Sequence, residues 1–329
     1  MPRRIRLELE DTALPSDDAR RPVDPCRVRL LGHFGVACCG TEVVGFERRR
    51  VQELFAYLII NHGRSVPREM VVEELWGGRG TDPRKHLRHA LWQLQRALEQ
   101  ANVGRVLDVT SEQVAFREDA GVDADVLALE AAHQRVVAAR DPILSERTTN
   151  TVRAAVAAYR GDLLESSYED WISTERLRYR SIFLALLDAL LVRAERCGDF
   201  ADGIAYAEQL LHHDRASELT HRRLMAMRAR CGDRTGALRQ FDACATALRD
   251  ELDVDPGAAT VALAAAIRAG APIEDGATFD AGTGTVAFSL HSLLELQRTL
   301  AAATSLVDDA VTQLRALDGH ATRDAGETS

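Results

Sequence analysis

The densest set of chemically competent side chains lies between Asp82 and Gln100. At 100° per residue, one face of a helix over this span carries Lys85, His89, Trp92 and Arg96, with Arg88 and Gln93 on its flanks. Leu87, Ala90, Leu91, Leu94 and Leu98 fall opposite and read as a buried stripe. Cations, an imidazole, an indole and an amide on the free side of a half-buried helix suit the edges of base pairs. Arginine pairs with guanine O6 and N7, and glutamine with adenine. The same pattern also describes a solvated charged face, so this helix alone decides nothing. His86 and His89 are spaced to share a metal on such a helix, but no third ligand accompanies them.

Other chemistries are excluded more firmly. Of 41 Lys and Arg residues, only Lys85 is a lysine, and it follows Pro83-Arg84 and precedes His86. A phosphate loop ending in Gly-Lys-Ser/Thr is therefore absent, as are Gly-x-Ser-x-Gly, His-Glu-x-x-His and Gly-x-Gly-x-x-Gly. No catalytic residue, cofactor or metal is expected, and the chain reads as a non-enzyme. His212-His213 reads as a polar pair at a helix end.

The elements that must position the helical face belong to a chain of 329 residues, a length for about two domains. Its 46% hydrophobic, 28% charged and 5% aromatic residues describe a soluble, helix-leaning globular protein. The net charge of −9 argues against non-specific nucleic-acid binding. Yet residues 25–117 hold 14 basic against 10 acidic residues, so a mildly basic head precedes an acidic body. The six cysteines form no Cys-x-x-Cys pair, and Met1-Pro2-Arg3-Arg4 leads into no apolar run. The apolar stretch from Leu184 to Val192 is broken by Asp188, so no membrane span is expected. A cytoplasmic home with mostly buried free thiols follows.

Residues 1–24 are polar, contain three prolines and lack periodicity, which predicts a disordered arm. Alternation through Val28 and Leu30, then Val36 to Cys39, then Val43-Val44 predicts three short strands. Val51, Leu54, Phe55 and Leu58 predict a helix that Gly63 ends. Pro67 is expected to open a second helix running to Leu75-Trp76, and Gly77-Gly78-Arg79-Gly80 to form a loop. Asp82-Pro83 then supplies an N-cap and a first-turn proline for the third helix. Segments 105–109 and 113–117 read as a closing hairpin around Thr110-Ser111-Glu112. Strands, three helices and a hairpin is the order of a winged helix. In it, Arg48, Arg49, Arg50, Arg64, Arg68 and Arg84 fit phosphates, and Arg105, Thr110, Ser111 and Gln113 fit the wing.

The second half repeats. Cys197-Gly198-Asp199 recurs as Cys231-Gly232-Asp233 after 34 residues, the tetratricopeptide period. Gly203 matches Ala237 at a close helix approach, Ile204 matches Leu238, and Leu191 matches Met225. Ala154 to Tyr159 with Asp162-Leu163-Leu164 reads as a divergent helix–turn unit. Stacked hairpins of this kind form a superhelix with a groove, a place for a peptide or small-molecule ligand. A linker rich in Gly, Ala, Thr and Asp follows Gly270. Beyond it, Leu293, Leu296, Leu300, Ala303, Val307, Ala310, Leu314 and Leu317 form a 3–4 stripe. That stripe fits either a homodimer or packing back onto the repeats.

These motifs together make the chain similar to the SARP type of bacterial regulator, the antibiotic regulatory proteins, over residues 27–268. The head resembles an OmpR-type winged helix through Leu30-Leu31-Gly32, Leu54-Phe55-Ala56-Tyr57-Leu58, His62-Gly63-Arg64, Glu74-Leu75-Trp76, Leu87-Arg88 and Leu94-x-Arg96-Ala97-Leu98. The body resembles the bacterial transcriptional activation domain through Tyr159-Arg160-Gly161-Asp162-Leu163-Leu164, Asp170-Trp171, His221-Arg222-Arg223-Leu224-Met225 and Glu251-Leu252-x-Val254-Asp255-Pro256. The resemblance implies an activator, acting on secondary metabolism, that binds promoter direct repeats as cooperating protomers and recruits RNA polymerase holoenzyme. The third helix would enter the major groove, the hairpin the minor groove, and loop 77–81 would face polymerase. Gln93 and Gln95 stand where the family usually has arginines, and no receiver or ATPase segment is recognisable. The competing reading is a tetratricopeptide-like protein-interaction scaffold whose winged helix does not bind DNA.

The expected fold is mainly α: a winged helix (α+β), then an α-helical tetratricopeptide-like repeat domain and a C-terminal heptad helix. The expected boundaries are 1–24 arm, 25–118 winged helix, 119–270 activation domain, 271–287 linker, 288–318 amphipathic helix and 319–329 disordered tail.

Overall fold

A computed structural model of the chain describes residues 26–273 apart from 78–81, 102, 104–105, 118–120 and 140–142. The expected arm, most of the linker, the heptad helix and the tail lie outside the described residues. Among those described, the fold is mainly helical, with a small N-terminal sheet region, a winged helix and a helical repeat array.

Alternating burial makes Cys26–Arg29 the strand β1, antiparallel to β2 (Gly35–Cys38). Cys39 and Gly40 both have positive φ and form a two-residue hairpin turn into β3 (Thr41–Glu42). The third strand was expected at Val43-Val44. It starts earlier because so tight a turn brings the chain back into register at once. The N–H of Val43 still donates to the carbonyl of Val36.

α1 (Arg49–Ile60) is the central helix of the head, buried over nearly all its length. β4 (Ser65–Pro67), absent from the sequence reading, joins the hairpin of β5 (Leu107–Val109) and β6 (Gln113–Phe116) in the order β4-β6-β5. Pro67 therefore ends an edge strand, where its missing N–H is tolerated, and α2 (Arg68–Trp76) begins after it. In α3 (Pro83–Gln100), the Asp82 carboxylate accepts from the Lys85 N–H at 3.0 Å and Pro83 sits in the first turn, as the sequence predicts. The Leu stripe of α3 is buried.

The head does not end in a free linker. β7 (Val122–Ala124) adds to β1 as a parallel strand and runs straight into α4 (Asp125–Ala138). The Asp125 carboxylate accepts from the backbone N–H groups of Leu30 and Leu31 at 2.9–3.0 Å. Burial raises its pKa, against the lowering pull of those N–H groups. Gly32 and Leu164 donate backbone hydrogen bonds to Asp162 and Leu30, so a loop of the body continues the head's sheet edge. One hydrophobic core runs from Cys26 through Leu98 and Phe116 to Leu190.

The body continues with α5 (Glu146–Ala158), α6 (Asp170–Cys197), α7 (Phe200–His213), α8 (Glu218–Arg230), α9 (Arg234–Leu252) and α10 (Ala258–Ala269). The predicted turns join α6 to α7 and α8 to α9, with Gly198 and Gly232 in the left-handed conformation that a non-glycine residue resists. Leu191 and Met225 are fully buried, as are Gly203 and Ala237 at the matching helix crossings. The divergent unit is a helix and a turn, as expected: α5 starts earlier than Ala154, and Asp162-Leu163-Leu164 is a turn pinned to the Leu30–Gly32 segment that follows β1.

The cysteines also differ. Cys26 and Cys38, opposite each other on β1 and β2, are paired as a disulfide. Cys244 is a buried free thiol, its pKa pushed up to about 11 chiefly by burial. Cys39, Cys197 and Cys231 are free but exposed, because all three stand at the turns between elements.

Candidate nucleic-acid interface

α3 buries its leucines on the head and leaves a continuous free face. Lys85, Arg88, His89 and Arg96 are exposed on it, Trp92 is 52% exposed and Gln93 is half-buried on the flank. The His89 ring lies nearly parallel to the Trp92 ring, 19° apart with centroids at 6.0 Å. The Arg96 guanidinium sits over the same indole at 5.2 Å. The six residues singled out on this helix thus share one side, and three form a stack along it.

The wing meets the start of α2. Thr110 shapes the β5–β6 turn, its Oγ1 accepting from the N–H groups of Glu112 and Gln113. Arg68 reaches that turn twice, through its guanidinium to the Thr110 carbonyl at 2.9 Å and its N–H to the Glu112 carbonyl at 2.8 Å. Ser111 and Gln113 are exposed beside it. Arg84, in the first turn of α3, pairs with Glu69 of α2 at 3.0 Å, both in solvent. Arg64 donates to the Asn61 side chain after α1. The wing tip, the start of α2 and the start of α3 are therefore held together. Gly77 takes the left-handed conformation and caps α2. Gly78, Arg79, Gly80 and Arg105 lie outside the described residues.

The three consecutive arginines separate. Arg48 and Arg49 are exposed at the start of α1. Arg50 turns inward, pairing with Glu53 at 2.9 Å through one nitrogen and with Glu169 at 2.9 Å through another. The expectation that all three hold phosphates is thereby narrowed: Arg50 spends its fork on two carboxylates, one of them from the body. Glu53 is fully buried, and Ser167 of the body donates its hydroxyl to it. Burial raises the Glu53 pKa, opposed by the Ser167 hydrogen bond and by Arg50. Tyr57 meets Trp171 edge-on beside this site. Sequence reasoning missed Glu53; its signal is one acid inside the apolar run from Val51 to Ile60.

The body holds a cleft of about 880 Å³ between α5, α6 and α7. Phe183 and Leu190 form its floor, and Arg160, His212 and His213 stand at its rim. His212 and His213 close the last turn of α7, as a helix-end pair should. Burial, with the nearby Arg180 and His212, lowers the His213 pKa. Among the described residues there is no group of three or more His, Cys, Asp or Glu placed to hold a metal, and His89 is engaged with Trp92 rather than with His86. No helix among the described residues is long and apolar enough to cross a membrane.

Residues 122–268 match the bacterial transcriptional activator domain family. With the winged helix before it, this domain gives the chain the layout of the regulators that its motifs resemble. Among solved structures, the fold is similar to EmbR of Mycobacterium tuberculosis, determined in complex with a low-affinity phosphopeptide. The match has a TM-score of 0.57 and 20% identity, over 82% of this chain and 71% of that one. A search among curated proteins finds no similar sequence.

Proposed function

We propose that the chain is a sequence-specific DNA-binding activator that holds a promoter with its head and RNA polymerase with its surface. The observation carrying this reading is the free face of α3, where Lys85, Arg88, His89, Trp92, Gln93 and Arg96 stand together outside the core. A helix of this kind fits the major groove, and its position beside the Thr110–Gln113 turn lets the wing follow the adjoining backbone. Arg48, Arg49, Arg64, Arg68 and Arg84 supply phosphate contacts, and Arg105 joins Thr110, Ser111 and Gln113 in the wing. The mechanism is adhesion: a protein bound to promoter repeats raises the local concentration of polymerase, through the loop of Gly77, Gly78, Arg79 and Gly80.

In this reading residues 25–118 bind DNA, residues 119–270 are the activation domain, and the protein works in the cytoplasm on the nucleoid, without catalysis or cofactor. Direct repeats place two copies side by side, and genes of secondary metabolism are the targets the family resemblance favours. The cleft of the body offers a place for a regulatory peptide or small molecule.

The test is a binding titration of the full chain against the DNA upstream of its own gene, at two salt concentrations, beside a Lys85/Arg88/Arg96 triple alanine variant. Salt-steep binding that the variant loses supports the reading. A second reading, a scaffold with a silent head, is favoured by Gln93, Gln95 and the net charge of −9. A folded protein that binds none of these fragments would move the weight to it.

A further inference from the structure

We infer that Trp92 and Arg96 act as one reader, with the indole edge on the 5-methyl group of a thymine and the guanidinium on the adjacent guanine. This rests on the proposed entry of α3 into the major groove.

An indole that is 52% exposed in the middle of a cationic face is costly to leave in water, and no packing against the core explains it. The apolar residues nearest it in the chain are accounted for: Leu91 and Leu94 fill the buried side of the helix. The neighbours on the free side cover the flat faces of the ring. His89 stands one turn towards the helix start, nearly parallel, and Arg96 one turn towards the helix end, over the ring. With neighbours against the ring from the turn before and the turn after, the indole edge is the part they leave to meet DNA. That edge is mostly apolar carbon and hydrogen. Among the groups lining the major groove, the thymine methyl is the apolar one, so it is the partner that gains by covering the edge.

Arg96 gains from the same stack. Laid against the indole, its guanidinium gives up rotational freedom before DNA arrives, and its remaining N–H groups stay free to form two parallel bonds. Guanine O6 and N7 are the acceptors that match this fork. The guanidinium carbon lies 5.2 Å from the ring centre, between one and two base-pair rises of about 3.4 Å, so the two groups reach neighbouring bases.

The experiment uses the full chain and the upstream fragment it binds best, prepared in three forms: unmodified, with deoxyuridine for every thymidine, and with 7-deazaguanine for every guanine. Deoxyuridine removes the methyl group and keeps the pairing. Wild type should lose about fivefold or more in affinity on the uridine form, whereas Trp92→Ala should bind the unmodified and uridine forms alike. Wild type should also lose affinity on the deazaguanine form. Arg96→Ala should be indifferent to that change, and Trp92→Ala should be less sensitive to it than wild type, because the stack is gone. Uracil alters DNA stiffness too, but that effect falls equally on wild type and variant and cancels in the comparison. Equal losses in wild type and Trp92→Ala overturn the inference while leaving DNA binding intact. Absence of binding to every unmodified fragment overturns the underlying reading and this inference together. Trp92→Phe, which keeps an aromatic edge, and a thermal melt of each variant separate loss of contact from loss of fold.

Discussion

Ser167 of the body donates its hydroxyl hydrogen to the carboxylate of Glu53 in the head, and neither residue is reached by water. The second oxygen of Glu53 takes the Arg50 guanidinium, whose other nitrogen returns to Glu169 of the body. A buried carboxylate satisfied half by each domain makes head and body one mechanical unit, sealed further by β7 on β1 and by the shared core. The body residues Ser167 and Glu169 are thus bonded directly to α1, on which α3 packs.

Removing the hydroxyl tests this. Ser167→Ala leaves a buried carboxylate short of a donor, and such a loss costs about 1–3 kcal/mol. Calorimetry should show one cooperative transition in the wild type and in the variant, at lower temperature in the variant. Separate melting of the head in the wild type would contradict the shared core.

A second buried acid sets a pH dependence. Glu195 of α6 has an oxygen without a hydrogen-bond partner, 3.7 Å from Arg223 Nε, an ion-pair separation too long for a hydrogen bond. Arg223 meanwhile bonds Asp188 at 2.5 Å. Burial raises the Glu195 pKa to about 7, against the lowering pull of Arg223. The folded state thus binds a proton more tightly than the unfolded chain, whose carboxyl titrates near 4.5. Stability contributed by this group is highest below that value and falls as pH rises to about 7, by up to about 3 kcal/mol in order of magnitude. Urea titrations of wild type and Glu195→Gln should diverge across this window, the variant being the flatter. Identical pH profiles would remove Glu195 as the cause.

The helix crossing at Gly203 gives a third expectation. A Cβ there would stand 2.6 Å from the Met227 sulfur and 3.3 Å from the Ala194 methyl. Gly203→Val should destabilise by about 1–3 kcal/mol through overpacking. Gly203→Ala combined with Met227→Ala should be less destabilising than the two single changes summed, since the methionine end is the obstacle. Additive costs in the double variant would place the strain elsewhere.

Why some of this was legible and some not follows from range. α3 announces itself by Asp82-Pro83 and a leucine every third or fourth residue, both local signals. The repeat turns are legible because Gly198 and Gly232 are each demanded by the backbone conformation at that point. β4 and β7 are three residues long, too short for an alternation to be read from sequence. α10 was missed because Ala258–Ala269 is nearly all small and apolar, leaving its period without contrast. The inward turn of Arg50 depends partly on Glu169, far along the chain, and the local cue, Glu53, lies within one helical turn of Arg49 as well as of Arg50. The candidate reading face was legible as a list of residues; the stack of His89, Trp92 and Arg96 was not, because it depends on rotamers.

That separation of the three arginines carries the last prediction. Arg48 is exposed at the start of α1 and faces no acid in its own turn, whereas Arg50 is committed to Glu53 and Glu169. If Arg48 meets a phosphate, Arg48→Ala should weaken binding to all DNA sequences alike and lower the slope of log affinity against log salt by about one. Arg96→Ala should instead cost about 1–3 kcal/mol on the preferred site and much less on unrelated DNA, because a base contact is lost. Arg50→Ala should leave the salt slope unchanged and lower thermal stability, since its partners are protein carboxylates. Titrations of the three variants at several salt concentrations, on preferred and scrambled fragments, distinguish these outcomes. A drop in salt slope for Arg50→Ala equal to that for Arg48→Ala would show that the interdomain pairing opens when DNA binds.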